Sequence, residues 1–161
     1  MRKGISAALL AAAALFSLNS ATADQPERFM SLRSDGVEGR QGPGANERLR
    51  WLYQRTGLPV QVLAERNGWK QVRDPAGDEV WMRSEDLDPR RTIYVREQTE
   101  LRRTARESGQ VVAYLMPGVI GAVTGCDGDW RRVAVGGRIG WAQNSSLWGG
   151  ACEGLDTPIR P

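Results

Sequence analysis

From residue 29 to residue 149 the apolar positions fall in short runs, separated by turns bearing Gly, Asn and Asp. Within residues 59–65, Val60 and Val62 share one face of an alternating stretch. Alternation over four to eight residues, bounded by turn formers, is the pattern of a half-buried strand. It predicts strands over residues 29–33, 59–65, 69–73 and 79–82, and again over 92–96, 119–124, 130–135 and 138–142. Asn67-Gly68 lies between two of these runs and signals a two-residue hairpin. Residues 84–87 and 144–147 each read as one short turn of helix, ending on Leu87 and Leu147. Residues 49–53 fit either a strand at a sheet edge or a single helical turn.

The strand series occurs twice. Gly68-Trp69-Lys70-Gln71-Val72 overlies Asp129-Trp130-Arg131-Arg132-Val133 at an offset of 61, which also brings Tyr53 onto Tyr114, Gly57 onto Gly118 and Val62 onto Val123. Trp81 then meets Trp141, and Leu87 meets Leu147, at an offset of 60. The lost residue falls in the stretch after residue 73, a polar segment where a hairpin turn tolerates a length change. Two units of about 60 residues are too few for a solenoid, so each is expected to be a small domain. Many short strands joined by tight turns point to an all-β chain of two small barrels.

Ahead of this lies a segment of a different kind. Arg2 and Lys3 precede an apolar run over residues 5–18, and Ala21-Thr22-Ala23 ends it with the small-x-small pattern of a signal-peptidase site. As a helix the run would reach only about 21 Å, short of a bilayer core of roughly 30 Å. Residues 1–23 are therefore expected to be a cleaved signal peptide, leaving no stable membrane span and a periplasmic or secreted protein.

Composition narrows the chemistry. The 161 residues include 22 Lys+Arg, 19 Asp+Glu and no His, for a net charge of +3 that falls to +1 without Arg2 and Lys3. The arginines are interleaved with acids rather than gathered into a basic patch, so no nucleic acid is expected as a partner. Without an imidazole neither a Ser-His-Asp triad nor a Cys-His pair can be assembled. Two Cys and no His fall short of a structural zinc site. Asp74, Asp78, Glu79, Glu85, Asp86 and Asp88 lie in polar, turn-like stretches where exposure is the expectation, which gives no support to a catalytic carboxylate pair. No catalytic residue, metal or cofactor is expected.

Cys126 and Cys152 are the two cysteines. In an exported chain they are expected to form a disulfide rather than a redox pair, because the spacing is not Cys-x-x-Cys. The bridge would stabilise the second unit by roughly 3.5 kcal/mol on the chain-entropy model. Trp69, Trp81, Trp130 and Trp141 recur in both copies and are expected to build the two cores. Trp51 and Trp148 have no Trp counterpart. Trp51, flanked by Arg50 and followed by Tyr53, could stack on a ligand or pack between the units. With Arg40 and Asn46 from the preceding turn, these residues form the candidate ligand-binding set.

The order of motifs resembles the bacterial SH3-like domains, in tandem. It rests on Val37-x-x-Arg40-x-Gly42-Pro43-Gly44, Gly57-Leu58-Pro59-Val60, Gly68-Trp69-x-x-Val72, Trp81 and Leu87, and in the second copy on Leu101-Arg102, Pro117-Gly118, Asp129-Trp130-x-x-Val133, Gly140-Trp141 and Leu147. Two departures stand out. Val80 occupies the place before the second Trp where the family usually has Gly, and Thr104-Ala105 stands where the first copy has Gly42-Pro43. The resemblance implies SH3-like domains over residues 28–89 and 92–149, with 150–161 a tail tied to the second by the disulfide. It also implies a non-catalytic envelope binding module whose partner is peptidoglycan or an exported protein. The alternative is a structural or regulatory subunit docked on an envelope enzyme. Oligomeric state is left open. The exported protein should begin at Asp24 on N-terminal sequencing; recovery of Met1 would refute the cleaved leader.

Overall fold

The computed structural model describes residues 28–152, so the expected signal peptide and most of the tail lie outside the described residues. Fourteen strands form two seven-stranded antiparallel sheets, with no α-helix among the described residues. The first unit contains β1 (Phe29–Leu32), β2 (Val37–Arg40), β3 (Leu49–Tyr53), β4 (Pro59–Arg66), β5 (Trp69–Arg73), β6 (Glu79–Arg83) and β7 (Leu87–Asp88). The second contains β8 (Thr92–Val95), β9 (Thr99–Arg102), β10 (Val111–Leu115), β11 (Ile120–Asp127), β12 (Trp130–Val135), β13 (Arg138–Gln143) and β14 (Leu147–Gly149). A 3-10 turn precedes the last strand of each, at Ser84–Asp86 and Asn144–Ser146. Strand order is β3-β2-β6-β5-β4-β1-β7 in one sheet and β10-β9-β13-β12-β11-β8-β14 in the other, the same topology twice. The all-β, tandem SH3-like expectation holds, and residues 49–53 resolve as the edge strand rather than a helical turn.

Local chemistry accounts for the bends. Asn67 and Gly68 both adopt positive φ, the geometry that a two-residue hairpin between β4 and β5 demands. The β4–β5 ladder slips between Val62 and Ala64, and the β11–β12 ladder slips at the matching place between Val123 and Gly125. A bulge sharpens the twist of a strand, so these two let the long strands curl the sheet around its core.

The cores are aliphatic. One gathers Leu32, Val37, Leu58, Val60, Val72, Val80, Met82 and Leu87; the other gathers Ile93, Val95, Leu101, Leu115, Val123, Val133, Ala142 and Leu147. Here the structure corrects an expectation: Trp69, Trp81, Trp130 and Trp141 are half-buried and belong to neither core. Strand alternation is the reason. Val80 and Met82 are 1% and 0% exposed, so Trp81 between them must point to the opposite face of β6. Gly140 and Ala142 place Trp141 on the outer face of β13 in the same way.

The Val80 departure has a packing account. A Cβ built on Gly39 would stand 2.9 Å from Val80 Cγ2 and 2.8 Å from Tyr53 Cε2. In the second unit the sizes are exchanged: Leu101 takes the place of Gly39, and a Cβ on Gly140 would stand 2.6 Å from Leu101 Cγ. Each unit thus fills the same β2–β6 or β9–β13 gap from the opposite strand. The Tyr53–Tyr114 overlay, by contrast, is one residue out. Tyr53 pairs with Val37 in β2 and Leu115 with the equivalent Thr99 in β9, so Leu115 is the counterpart of Tyr53 and Tyr114 is left exposed.

Cys126 and Cys152 form the expected disulfide, with Cα atoms 6.0 Å apart. It ties the segment after β14 to the end of β11, beside Arg131, whose Nε donates to Gly150 O at 2.8 Å. Trp148 lies at the joint between the units. Its Nε1–H donates to Pro59 O at 3.3 Å, Phe29 meets its ring edge-on at 5.3 Å, and the Arg96 guanidinium lies 4.5 Å above it. Tyr94 and Ile120 of the second unit also pack on the first core. The unmatched Trp148, not Trp51, therefore supplies the aromatic packing between the two copies.

Gly39→Leu should destabilise the protein by about 1–3 kcal/mol through overpacking. Adding Val80→Gly should recover part of that loss, giving a coupling of about 1 kcal/mol in a denaturant double-mutant cycle. Strict additivity would refute the exchange of bulk.

Candidate functional site

Residues opposite each other in an antiparallel pair share a face, as do residues two apart on one strand. Trp81 pairs with Gln71 and Arg40, Trp69 pairs with Arg83, and Glu38 lies two residues from Arg40. The outer face of β2–β6–β5 therefore carries Glu38, Arg40, Trp81, Gln71, Trp69 and Arg83. The matching face of β9–β13–β12 carries Glu100, Arg102, Trp141, Arg132, Trp130 and Gln143. Leu52, opposite Glu38 on β3, extends the first of these faces to the sheet edge.

The arginines of these faces brace the adjoining loops. Arg40 pairs with Glu38 and donates through Nη1 to Glu47 O at 2.6 Å. Arg102 pairs with Glu100 and donates through Nη1 to Gly109 O at 2.7 Å. The loops so held, residues 41–48 and 103–110, are equal in length and close with the same backbone bonds. Gln41 N–H donates to Arg48 O as Arg103 N–H does to Gln110 O, and Glu47 N–H donates to Gly44 O as Gly109 N–H does to Arg106 O. Replacement of Gly42-Pro43 by Thr104-Ala105 leaves the fold of this loop intact.

The candidate ligand set is divided by the structure. Leu49, Trp51 and Leu52 are about half exposed on β3, an edge strand with one side unpaired. Trp51 stands opposite Gly39, but the ring of Tyr53 already covers that glycine, and Trp51 stays 49% exposed. Arg50 reaches Asp78 at 3.7 Å and Glu79 O at 3.4 Å, and Asn46 is exposed in the 41–48 loop. Each of these residues is accessible. Arg40, with a side chain only 16% exposed, is committed to its loop.

Tyr53 turns inward instead. Its hydroxyl donates to Asp74 Oδ2 at 2.9 Å, while Asp74 Oδ1 accepts the N–H groups of Ala76 and Asp78. Asp74, expected to be exposed, is buried, because it organises the β5–β6 turn from within. Burial of the Tyr53 phenol, and then the charge of Asp74, push its pKa well above the ordinary value.

Sequence reasoning missed one feature. In the second unit a cleft of about 360 Å³ is lined by Thr99, Glu100, Arg102, Glu107, Trp130 and Gln143. Its signal was present in the Glu-x-Arg pair repeated at 38–40 and 100–102, each ahead of an outward-facing Trp. A second depression, of about 420 Å³, is lined by Arg28, Glu65 and Lys70 among others. There Glu65 pairs with both cations, so those charges are spent on one another. No group of three or more Cys, Asp or Glu suited to a metal occurs among the described residues.

The family comparison fits this architecture. The bacterial SH3 domain model matches twice, over residues 34–89 and 95–149, and the chain belongs to that family. No curated protein matches the chain. Among solved structures it is similar to NlpC2 and NlpC1 from Trichomonas vaginalis, at 16% and 18% identity, each with a TM-score of 0.35. The matches cover 76% and 79% of this chain, which spans about half of those chains, 48% and 47%.

The raised Tyr53 pKa fixes the sign of a pH effect. The folded state holds this proton more tightly than the unfolded state, so the contribution to stability is complete below about pH 10 and is lost as pH rises beyond it. Unfolding free energy measured from pH 8 to 11 should fall more steeply for the natural protein than for Tyr53→Phe. Equal slopes would exclude the Tyr53–Asp74 pair as the origin.

Proposed function

We propose that the protein is a non-catalytic binding module of the cell envelope that holds peptidoglycan or an exported protein. The observation that carries this reading is membership of the bacterial SH3 domain family in both copies. The exposed edge of Leu49, Trp51 and Leu52, with Arg50 and Asn46 beside it, supports a contact surface of the first unit. Aromatic and aliphatic side chains held on a rigid strand lose little entropy on binding, and they are the usual anchors of recognition surfaces. The disulfide suits an oxidising compartment, in keeping with a periplasmic or secreted location.

The alternative, a subunit docked on an envelope enzyme, draws on the same edge. β3 has one side unpaired, and an extended segment of another protein could add to it as a further strand.

Sedimentation with purified peptidoglycan separates the two. The full chain should pellet with the polymer in moderate salt, and Trp51→Ala should reduce retention about fivefold or more while shifting Tm by only a few degrees. Absence of retention, with an enzyme recovered by crosslinking, would transfer the assignment to the docking subunit.

A further inference from the structure

The two copies carry the same outer-face scaffold with different charge. In the first unit the guanidinium of Arg83 lies 5.3 Å from the centroid of Trp69, so the protein places its own cation over that ring. In the second unit the ladder puts Gln143 opposite Trp130, just as Arg83 stands opposite Trp69. The intramolecular cation is therefore missing from the equivalent place. The loop differs in the complementary sense. Residues 41–48 and 103–110 have matching backbone bonds, so Glu107 occupies the position of Ala45. The cation has moved one rung along the face, from the place opposite Trp130 to Arg132 opposite Trp141, where the first unit has Gln71, and the loop has gained an anion; it is here that the cleft of about 360 Å³ lies open, with Trp130, Glu107 and Gln143 in its lining.

We infer that this cleft of the second unit receives a cationic group from a peptide ligand, an ammonium or guanidinium that takes up the place over Trp130 held by Arg83 over Trp69. This rests on the reading of the chain as a binding module. A cation over an indole face is attracted by the ring quadrupole, and a carboxylate at the rim adds a charge-assisted hydrogen bond. Glu100 is already engaged by Arg102, which is itself anchored to Gly109 O. Glu107 has Gln143 Nε2 at 3.5 Å and no ion pair among those found for the described residues, which leaves it to receive the ligand's charge. The volume is at the lower end for ligand sites and suits one side-chain head rather than a long segment.

The test uses the full, oxidised chain and a hexapeptide with a central arginine, beside the same peptide carrying the uncharged isostere citrulline. Binding is read from Trp fluorescence and from the indole N–H signals in NMR. The arginine peptide should bind about fivefold or more tightly than the citrulline peptide and should shift the Trp130 signal. Glu107→Gln should weaken it by a similar factor. Gln143→Arg restores the residue that the first unit already accommodates, so it should fold normally and abolish the preference. Equal affinity for the two peptides, or an undiminished preference in Gln143→Arg, would overturn the inference. The peptidoglycan arm is separate. If wild type and Gln143→Arg pellet equally and neither prefers the arginine peptide, the envelope reading stands and the cleft assignment fails. If the peptide preference holds while pelleting is absent, the cleft assignment stands and its cation comes from a protein.

Discussion

A strand can send only alternate side chains inward, and each of these small sheets encloses a single narrow core. Much of the structure follows from that constraint. Val80 and Met82 claim the interior positions of β6, so Trp81 has to lie outside. Gly140 and Ala142 do the same to Trp141. The largest apolar side chains are thereby placed on the outer face, beside Glu38, Arg40 and their counterparts. Burial energy comes instead from Val, Leu, Ile and Met, at roughly 1.5–3 kcal/mol for each fully buried side chain. A face lined with half-covered indoles on rigid strands is then available for recognition.

The fold was largely legible in the sequence, since period-two alternation and turn residues are local signals. Asn67-Gly68 marked its hairpin, and the Trp69/Trp130, Val72/Val133 and Leu87/Leu147 matches hold in the ladders. The errors arose where partners from distant segments decide. Tyr53 aligned with Tyr114 by residue type, although a one-residue difference ahead of Gly57 and Gly118 makes Leu115 its structural counterpart. Asp74 read as exposed because its partner, Tyr53, lies 21 residues away. Side-chain size alone points the repeated Trp inward, whereas the buried neighbours Val80 and Met82 fix its direction outward. The candidate site was half legible. Trp51, Arg50 and Asn46 are accessible, whereas the cleft beside Trp130 depends on a loop folding back, which no local pattern announces.

Duplication has left the scaffold contacts unchanged while the faces have diverged. Arg40 and Arg102 hold their loops identically, and both β4–β5 and β11–β12 carry a bulge at the same place. Exchange of bulk between Gly39 with Val80 and Leu101 with Gly140 preserves the filled gap by different means. Changes at Arg83/Gln143 and Gln71/Arg132 lie on the outer face, and Ala45/Glu107 in the loop beside it, where no core packing restrains them. At these positions, which meet solvent, the two units are chemically distinct.

Trp148 has a further consequence. Its indole donates to Pro59 and is met edge-on by Phe29 of the first unit, and Tyr94 and Ile120 pack on the first core, so the two units are joined by direct contacts and not by their linking residues alone. These contacts set the span between the two outer faces in this structure. For a ligand built from repeating subunits, the second grip becomes intramolecular only when the repeat matches that span, and a mismatched polymer gains nothing from the first. Under the proposed envelope role, the joint would act as a ruler, selecting among polymers by spacing as well as by the chemistry of each contact.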